Sequence, residues 1–381
     1  MKFNKWTYSL AAVGAVSLVS AARADEAKMS QLNTALSNTT ISGYIDVAAQ
    51  YNNGRQAGNV FSTDNRVDAF SVNSVTLTLD KPLDESPWAS GYHVDLNAGN
   101  SAIDGLGGST ALLKDYRNNV NFNAPSANGG FMVRQAYVAL HTPLGNGIDW
   151  KFGAFDTILG YESSTGYANP NYTRSIGWEH EATSYVGLLG TYKVCDILTV
   201  NAGIANPNVS FFNTGVATPS LSTKNFLGSA VMTAPESFGF FKGSTLTLGL
   251  SQTLQSGGVN NYYAGLTLPT PIKALSVGLA YDALQFLGAG GNDQVFGAYA
   301  AYQATDKIGM AVRGEYHTGN RGGGTFDGEE ITATLSYNLW ANVVSRVEAR
   351  WDHSEHFPNA GSGNTGYENA IMLALNIIYK F

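Results

Sequence analysis

His180-Glu181 opens like the zinc motif H-E-x-x-H, in which two histidines one helical turn apart hold the metal beside a glutamate base. Ala182, Thr183 and Ser184 follow, so the second histidine is missing. The chain carries no G-x-S-x-G nucleophile elbow, no Walker loop and no EF-hand spacing. Six histidines stand at 93, 141, 180, 317, 353 and 356. His353 and His356 bracket Ser354 and Glu355 without an evident third ligand. The single cysteine, Cys195, excludes an internal disulfide and any zinc site needing two thiolates. No metal, cofactor or catalytic residue is expected. The charges with the most regular spacing are Arg313/Glu315 and Arg346/Glu348/Arg350, each two residues apart. A second group, Glu162, Glu179 and Glu181, shares residues 158–182 with Tyr161, Tyr167, Tyr172 and Trp178.

Two-residue spacing puts side chains on one face of a strand, so these charges ask for β-structure. Composition agrees: of 381 residues only 13% are charged, 12% are aromatic and 43 are glycine. Few charges with many Gly, Tyr and Phe indicate an all-β chain facing an apolar solvent. The net charge of −7 argues against a nucleic-acid partner.

Lys2 and Lys5, an apolar stretch from Tyr8 to Val19 and Ala22-Arg23-Ala24 form a secretory signal peptide over residues 1–24, too short for a spanning helix. The competing reading is an N-terminal anchor. Cleavage removes three basic residues and leaves 19 against 29 acidic ones, a charge of −10. Residues 25–39, with Met29, Leu32 and Leu36 at helical spacing, read as a short leader or helix before a domain over 40–381.

From Thr40 onward the period is two. Ile41, Ile45, Val47 and Tyr51 oppose Ser42, Asp46 and Gln50, and Ile371, Leu373, Leu375, Ile377, Tyr379 and Phe381 share the last face. The pattern predicts sixteen strands near 41–51, 70–80, 89–98, 131–141, 149–157, 183–192, 198–205, 226–234, 244–254, 262–268, 275–284, 295–302, 308–317, 330–338, 343–353 and 368–381. Strands 70–80, 131–141, 226–234 and 295–302 alternate poorly. In the eight cleanest strands the apolar face has no charge, whereas the other carries Asp46, Asp95, Asp282, Arg313, Glu315, Glu330, Arg346, Glu348, Arg350, Asp352, Glu368 and Lys380. His93 falls on the same water-facing side.

A charge at the bilayer midplane costs ~2–4 kcal/mol in a barrel, while a wet lumen tolerates it. The expected fold is therefore an antiparallel transmembrane β-barrel of about 16 strands. A soluble sandwich would leave its outward faces heavily charged. Connections 52–69, 99–130, 158–182 and 206–225 are long and the alternate ones tight, which predicts long extracellular loops, short periplasmic turns and periplasmic chain ends. Tyr92, Tyr281, Tyr316, Tyr337, Trp351 and Tyr379 read as lipid-facing girdle aromatics.

The signal peptide, the sixteen strands, the terminal Tyr379-Lys380-Phe381 and the run Phe152 to Glu162, followed by Asn171 and Arg174-Ser175, resemble the OmpL-like beta-barrel porins of the Gram-negative outer membrane. The resemblance implies that residues 158–182 fold inward as a constriction, with Glu162, Glu179 and Glu181 as its acids. It also implies that the barrel-assembly machinery reads Phe381 as an insertion signal, with outer-membrane lipid as the surrounding solvent. A homotrimer is an expectation from the sixteen-strand trimeric porins. Arg313, Arg346 and Arg350, with Lys151 and Arg134 extending them, would form a basic wall opposite those acids, and the transverse field would sort solutes by charge and dipole. The bland reading is a self-neutralising ladder of Arg313, Glu315, Arg346, Glu348 and Arg350. Asp46, Asp95, His93, Asp282, Glu315 and Glu348 are the other expected lumen residues. The functional expectation is a passive diffusion channel for small hydrophilic solutes and ions. The alternatives are a non-conducting barrel with an adhesive or structural role and an outer-membrane hydrolase.

Overall fold

A computed structural model describes residues 38–52, 69–99, 114–115, 120–121, 130–206, 224–254, 258–288, 290–321, 324–353 and 369–381. The expected signal peptide, residues 25–37 of the leader, His356 and Glu368 lie outside the described residues. Sixteen strands close into one antiparallel barrel. In chain order they begin with β1 (Thr40–Asn52), β2 (Ala69–Lys81), β3 (Ser90–Gly99), β4 (Gly130–Thr142), β5 (Ile148–Asp156), β6 (Ser184–Lys193), β7 (Leu198–Ala205) and β8 (Asn225–Thr233). The ring continues through β9 (Thr245–Thr253), β10 (Val259–Pro269), β11 (Leu275–Phe286), β12 (Gly291–Gln303), β13 (Ile308–Arg321), β14 (Gly324–Trp340), β15 (Val343–His353) and β16 (Asn369–Lys380). Each strand pairs with its neighbours in sequence, and β16 pairs with β1. Closure leaves the barrel no unpaired edge strand among the described residues, which is what lets strands cross a bilayer.

The alternation read from sequence is the alternation between outside and inside. On β16, Ile371, Leu373, Leu375, Ile377 and Tyr379 are exposed on the outer surface, while Met372, Ala374, Asn376 and Ile378 are buried within. Gly43 and Phe381 exchange backbone hydrogen bonds at 2.9 and 3.0 Å. A Cβ on Gly43 would stand 2.6 Å from the Phe381 ring, so only glycine lets the terminal aromatic lie there.

Two β-bulges account for the weak alternation of β2 and β4. The β1–β2 register passes from Asp46↔Ser74 to Val47↔Val72, which makes Asn73 the extra residue. The β3–β4 register passes from Asp95↔Gln135 to Leu96↔Val133, which makes Arg134 extra. A bulge adds one residue and re-aims a side chain, so Asn73 turns inward beside Ser74, and Arg134 beside Gln135. β8 and β12 blur for another reason: Leu227, Val231 and Val295 are apolar and point inside.

Connections 82–89, 143–147, 194–197, 270–274, 304–307 and 341–342 are tight, on the periplasmic end. Opposite them, the connection 157–183 is long, yet 254–258, 287–290 and 322–323 are short because the flanking strands run higher than the sequence bounds of 262–268, 295–302 and 330–338. β13 and β14 stay paired up to Arg321↔Gly324.

Candidate functional site

Residues 157–183 turn into the barrel instead of away from it, and their first half is drawn in by apolar burial. Ile158 and Leu159 pack with Phe155, Tyr185, Leu189, Ala205, Leu227, Tyr263 and Ala280, an apolar cluster inside the wall of β5 to β11. Each fully buried side chain of this size contributes about 1.5–3 kcal/mol. Tyr161 then stacks on Tyr299 of β12 at 4.0 Å. Gly278 makes room, since its Cβ would stand 1.9 Å from the Tyr161 hydroxyl. Gly160 has φ +105° and a Cβ there would collide with the Glu181 carboxylate, so the turn into the lumen needs glycine.

The second half is held by its backbone. Arg346 Nη1 donates to the carbonyls of Asn169 (2.9 Å) and Asn171 (2.7 Å), and Nη2 to that of Gly166 (3.1 Å). Glu348 accepts from the N–H groups of Tyr172 (2.5 Å) and Thr173 (2.8 Å) and from Thr334 Oγ1 (2.6 Å). Arg313 donates to Glu162 Oε1 (2.7 Å), Glu330 Oε2 (3.1 Å) and the carbonyls of Thr173 (2.8 Å) and Arg174 (3.0 Å). Arg350 grips Asp352 and donates to the Arg174 carbonyl at 2.6 Å. Arginines therefore take loop carbonyls and glutamates take loop N–H groups, each with a charge-assisted bond.

Ser175 caps a short helix, α1 (Ile176–His180), by accepting from the N–H of Trp178 at 2.9 Å. Glu315 accepts from the N–H groups of Ile176 (2.5 Å) and Gly177 (3.0 Å) at the same end. Gly177 is the close approach here, because a Cβ would lie 2.8 Å from Asp282 Oδ2. Glu181 follows α1, buried against Asp282. Burial, then the charges of Asp282, Glu162 and Glu315, push its carboxyl well above the ordinary glutamate range.

Arg313 thus meets the loop acid Glu162 directly instead of facing it across water, while Arg346 and Arg350 take loop carbonyls and Glu181 lies against Asp282. Arg313, Arg346 and Arg350 point inward but are fully covered by residues 162–174, because a guanidinium offers five donors and the loop supplies unpaired carbonyls for them. This replaces the expected water-facing arginine wall with a clamp, in which Glu315 and Glu348 hold the loop too. Asp46 is buried and accepts from Asn73 Nδ2 (2.8 Å) and Asn376 Nδ2 (2.6 Å). Arg134 contacts Asp95, Asp156 and Ser164, with both Asp156 oxygens 2.7 Å from Nη1. His93 lies between Asp80 (2.8 Å) and Asp95 (3.2 Å). Lys151 points inward over the Tyr137 ring at 4.9 Å. Glu179 is in α1, but its side chain lies outside the described residues. Cys195 is exposed in a tight turn.

A family profile described as "Putative beta-barrel porin-2, OmpL-like" matches residues 38–381. The chain belongs to this family. It is a porin of the bacterial outer membrane, and so by family a channel. No curated protein matches its sequence. Among solved structures it is similar to the outer membrane channel DcaP of Acinetobacter baumannii, with 12% identity, TM-score 0.60, and 90% of this chain and 97% of that one covered. OmpT of Vibrio cholerae, folded in vitro, gives 14% identity, TM-score 0.57 and coverage of 90% and 97%. An anion-selective porin from Comamonas acidovorans gives 13% identity, TM-score 0.57 and coverage of 90% and 99%. At these identities the likeness is one of fold.

In this porin a few inward charges are left partly open: Asp80, Asp156 and Lys151 on β2 and β5, and Lys380 on β16 beside the clamp strand β15. Asp80 and Asp156 keep 37% and 31% of their side chains exposed. Lys151 and Lys380 are partly exposed, Lys380 lying 5.3 Å from the Tyr167 ring. Tyr167 crosses Tyr44 edge-on at 5.1 Å and is itself exposed. Sequence placed Lys380 on the water-facing side but gave it no role, and passed over Asp80 and Asp156. Their inward parity was readable, whereas the loop's choice of which charges to cover was not.

Proposed function

We propose that this porin passes small hydrophilic solutes and ions by passive diffusion through a lumen narrowed by residues 158–182. The observation that carries the reading is the loop lying inside the barrel, held there by Arg313, Arg346, Arg350, Glu315 and Glu348. With those charges committed to holding the loop, selection falls to the partly exposed Lys151, Lys380, Asp80, Asp156 and His93, and to the exposed ring of Tyr167. Low-dielectric walls focus the field of such charges on a passing ion.

Residues 1–24 act as a cleaved export signal and 25–39 as a leader, with Phe381 read during insertion by the barrel-assembly machinery. A homotrimer is supported by the trimer form of Vibrio cholerae OmpT, a fold relative at 14% identity. The test is planar-bilayer recording of the refolded barrel, with reversal potentials in a salt gradient. Stepwise conductance is expected, and Lys151→Glu/Lys380→Glu moves the reversal potential toward cation preference. A folded, inserted barrel that stays silent rejects the channel in favour of a structural barrel. Conductance without the shift rejects the assigned charges.

A further inference from the structure

We infer that His180, Asp293 and His317 form a divalent transition-metal site that fastens α1 to the barrel wall. The three come from separate elements: His180 ends α1, Asp293 lies near the outer end of β12 and His317 near that of β13. Asp293 pairs with Gly319 and His317 with Val295, so the two wall residues are diagonal neighbours on the inner face. One donor atom from each of the three residues can be chosen so that all lie within 4.8 Å of one another. Asp293 Oδ1 is 3.1 Å from His317 Nε2, and Asp293 Oδ2 is 3.4 Å from His180 Nε2. Four-coordinate zinc with bonds of ~2.0–2.1 Å sets its donors ~3.3 Å apart. The two imidazoles cross edge-on with centroids 4.7 Å apart.

The tautomer is arranged for a ligand. His180 Nδ1 lies 2.9 Å from the Ile176 carbonyl, where it can only donate, so Nε2 of the neutral ring is left with its lone pair toward Asp293 and His317. A backbone carbonyl on the far nitrogen is the usual outer partner of a metal-binding histidine. Asn261 Nδ2 donates to the His180 carbonyl at 3.0 Å, which fixes the end of α1 against β10. The side chains are 4–10% exposed, so the carboxylate and rings are already drawn out of bulk water. Two imidazoles and one carboxylate suit Zn²⁺, Co²⁺ or Ni²⁺, and not the all-oxygen cations Ca²⁺ and Mg²⁺. Three protein donors leave a fourth position for water. A bound ion would strap the end of the loop to the wall, in addition to the arginine clamps. The effect on current rests on the constriction reading, whereas binding does not.

The test is titration of the refolded, tag-free porin in detergent with Co²⁺, followed by its visible absorption, and with Zn²⁺ in competition. The expected result is one equivalent bound, with the band intensity of a low-coordinate site. His180→Gln and His317→Gln are expected each to weaken binding by at least about ten-fold, since even loss of an outer partner costs 10–100-fold. Heat-modifiable gel mobility confirms that each variant is folded, and Asp293→Asn provides a third variant. Failure of the wild-type porin to bind either ion, or equal binding in all folded variants, overturns the site. Single-channel recording with Zn²⁺ against a chelator separates the two readings: one-equivalent binding with unchanged current keeps the site and counts against the loop as constriction.

Discussion

Arg346→Ala isolates the clamp. Arg346 donates to three loop carbonyls, Gly166, Asn169 and Asn171, at 2.7–3.1 Å. Arg313 would be a poorer probe, because its loss strands Glu162 and Glu330 as buried carboxylates, at a cost of about 3–5 kcal/mol to the whole barrel. A hydrogen bond to a charged group contributes about 1.5–3 kcal/mol, so three give about 4.5 kcal/mol at the low end. Water entering the vacated space re-solvates the carbonyls and offsets about half of this. The net loss of about 2 kcal/mol raises the ratio of released to clamped loop ~30-fold. Single-channel records should then show excursions to a higher conductance level in the variant, with gel mobility of the unheated barrel unchanged. Arg346→Lys, which keeps the charge but loses the planar fork, falls between. An Arg346→Ala barrel whose open level and noise match the wild type refutes the clamp.

Other consequences follow from the same geometry. Gly160→Ala combines a positive φ with a Cβ driven into the buried Glu181, and should lower stability by about 1–3 kcal/mol, read as a lower urea midpoint of the detergent-folded barrel. Phe381→Ala removes a ring packed over Gly43 at the closing seam, and should reduce the amount of assembled barrel in the outer membrane; full assembly would reject Phe381 as an insertion signal.

Much of the barrel was legible because lipid outside and water inside impose a strict two-residue period. β1, β11, β13, β15 and β16 show it plainly, and the sixteen expected strands correspond one to one with the sixteen of the barrel, while the short pair Lys114–Asp115 and Val120–Asn121 was not read. Legibility failed where the period is broken or masked. Asn73 and Arg134 are bulge residues, and a bulge leaves no mark in composition. Leu227 and Val295 face inward but are apolar, since they meet folded chain or other apolar residues and not water. The grip on the loop was unreadable in principle, because Arg346 recognises carbonyls that any residue type supplies. The inward parity of the three arginines could be read, while their burial depends on where residues 162–174 lie. His180, Asp293 and His317 are separated by more than a hundred residues at one step, so only the barrel's curvature and the inward loop bring them together.

We propose that residues 158–182 set the width of the channel. Liposome swelling with neutral sugars of graded size tests it directly, comparing the wild type with a variant in which residues 162–175 are replaced by a short Gly-Ser linker. A larger size limit and a higher single-channel conductance are expected for the shortened loop. An unchanged size limit in a folded, conducting variant would place the constriction elsewhere and refute this role of residues 158–182.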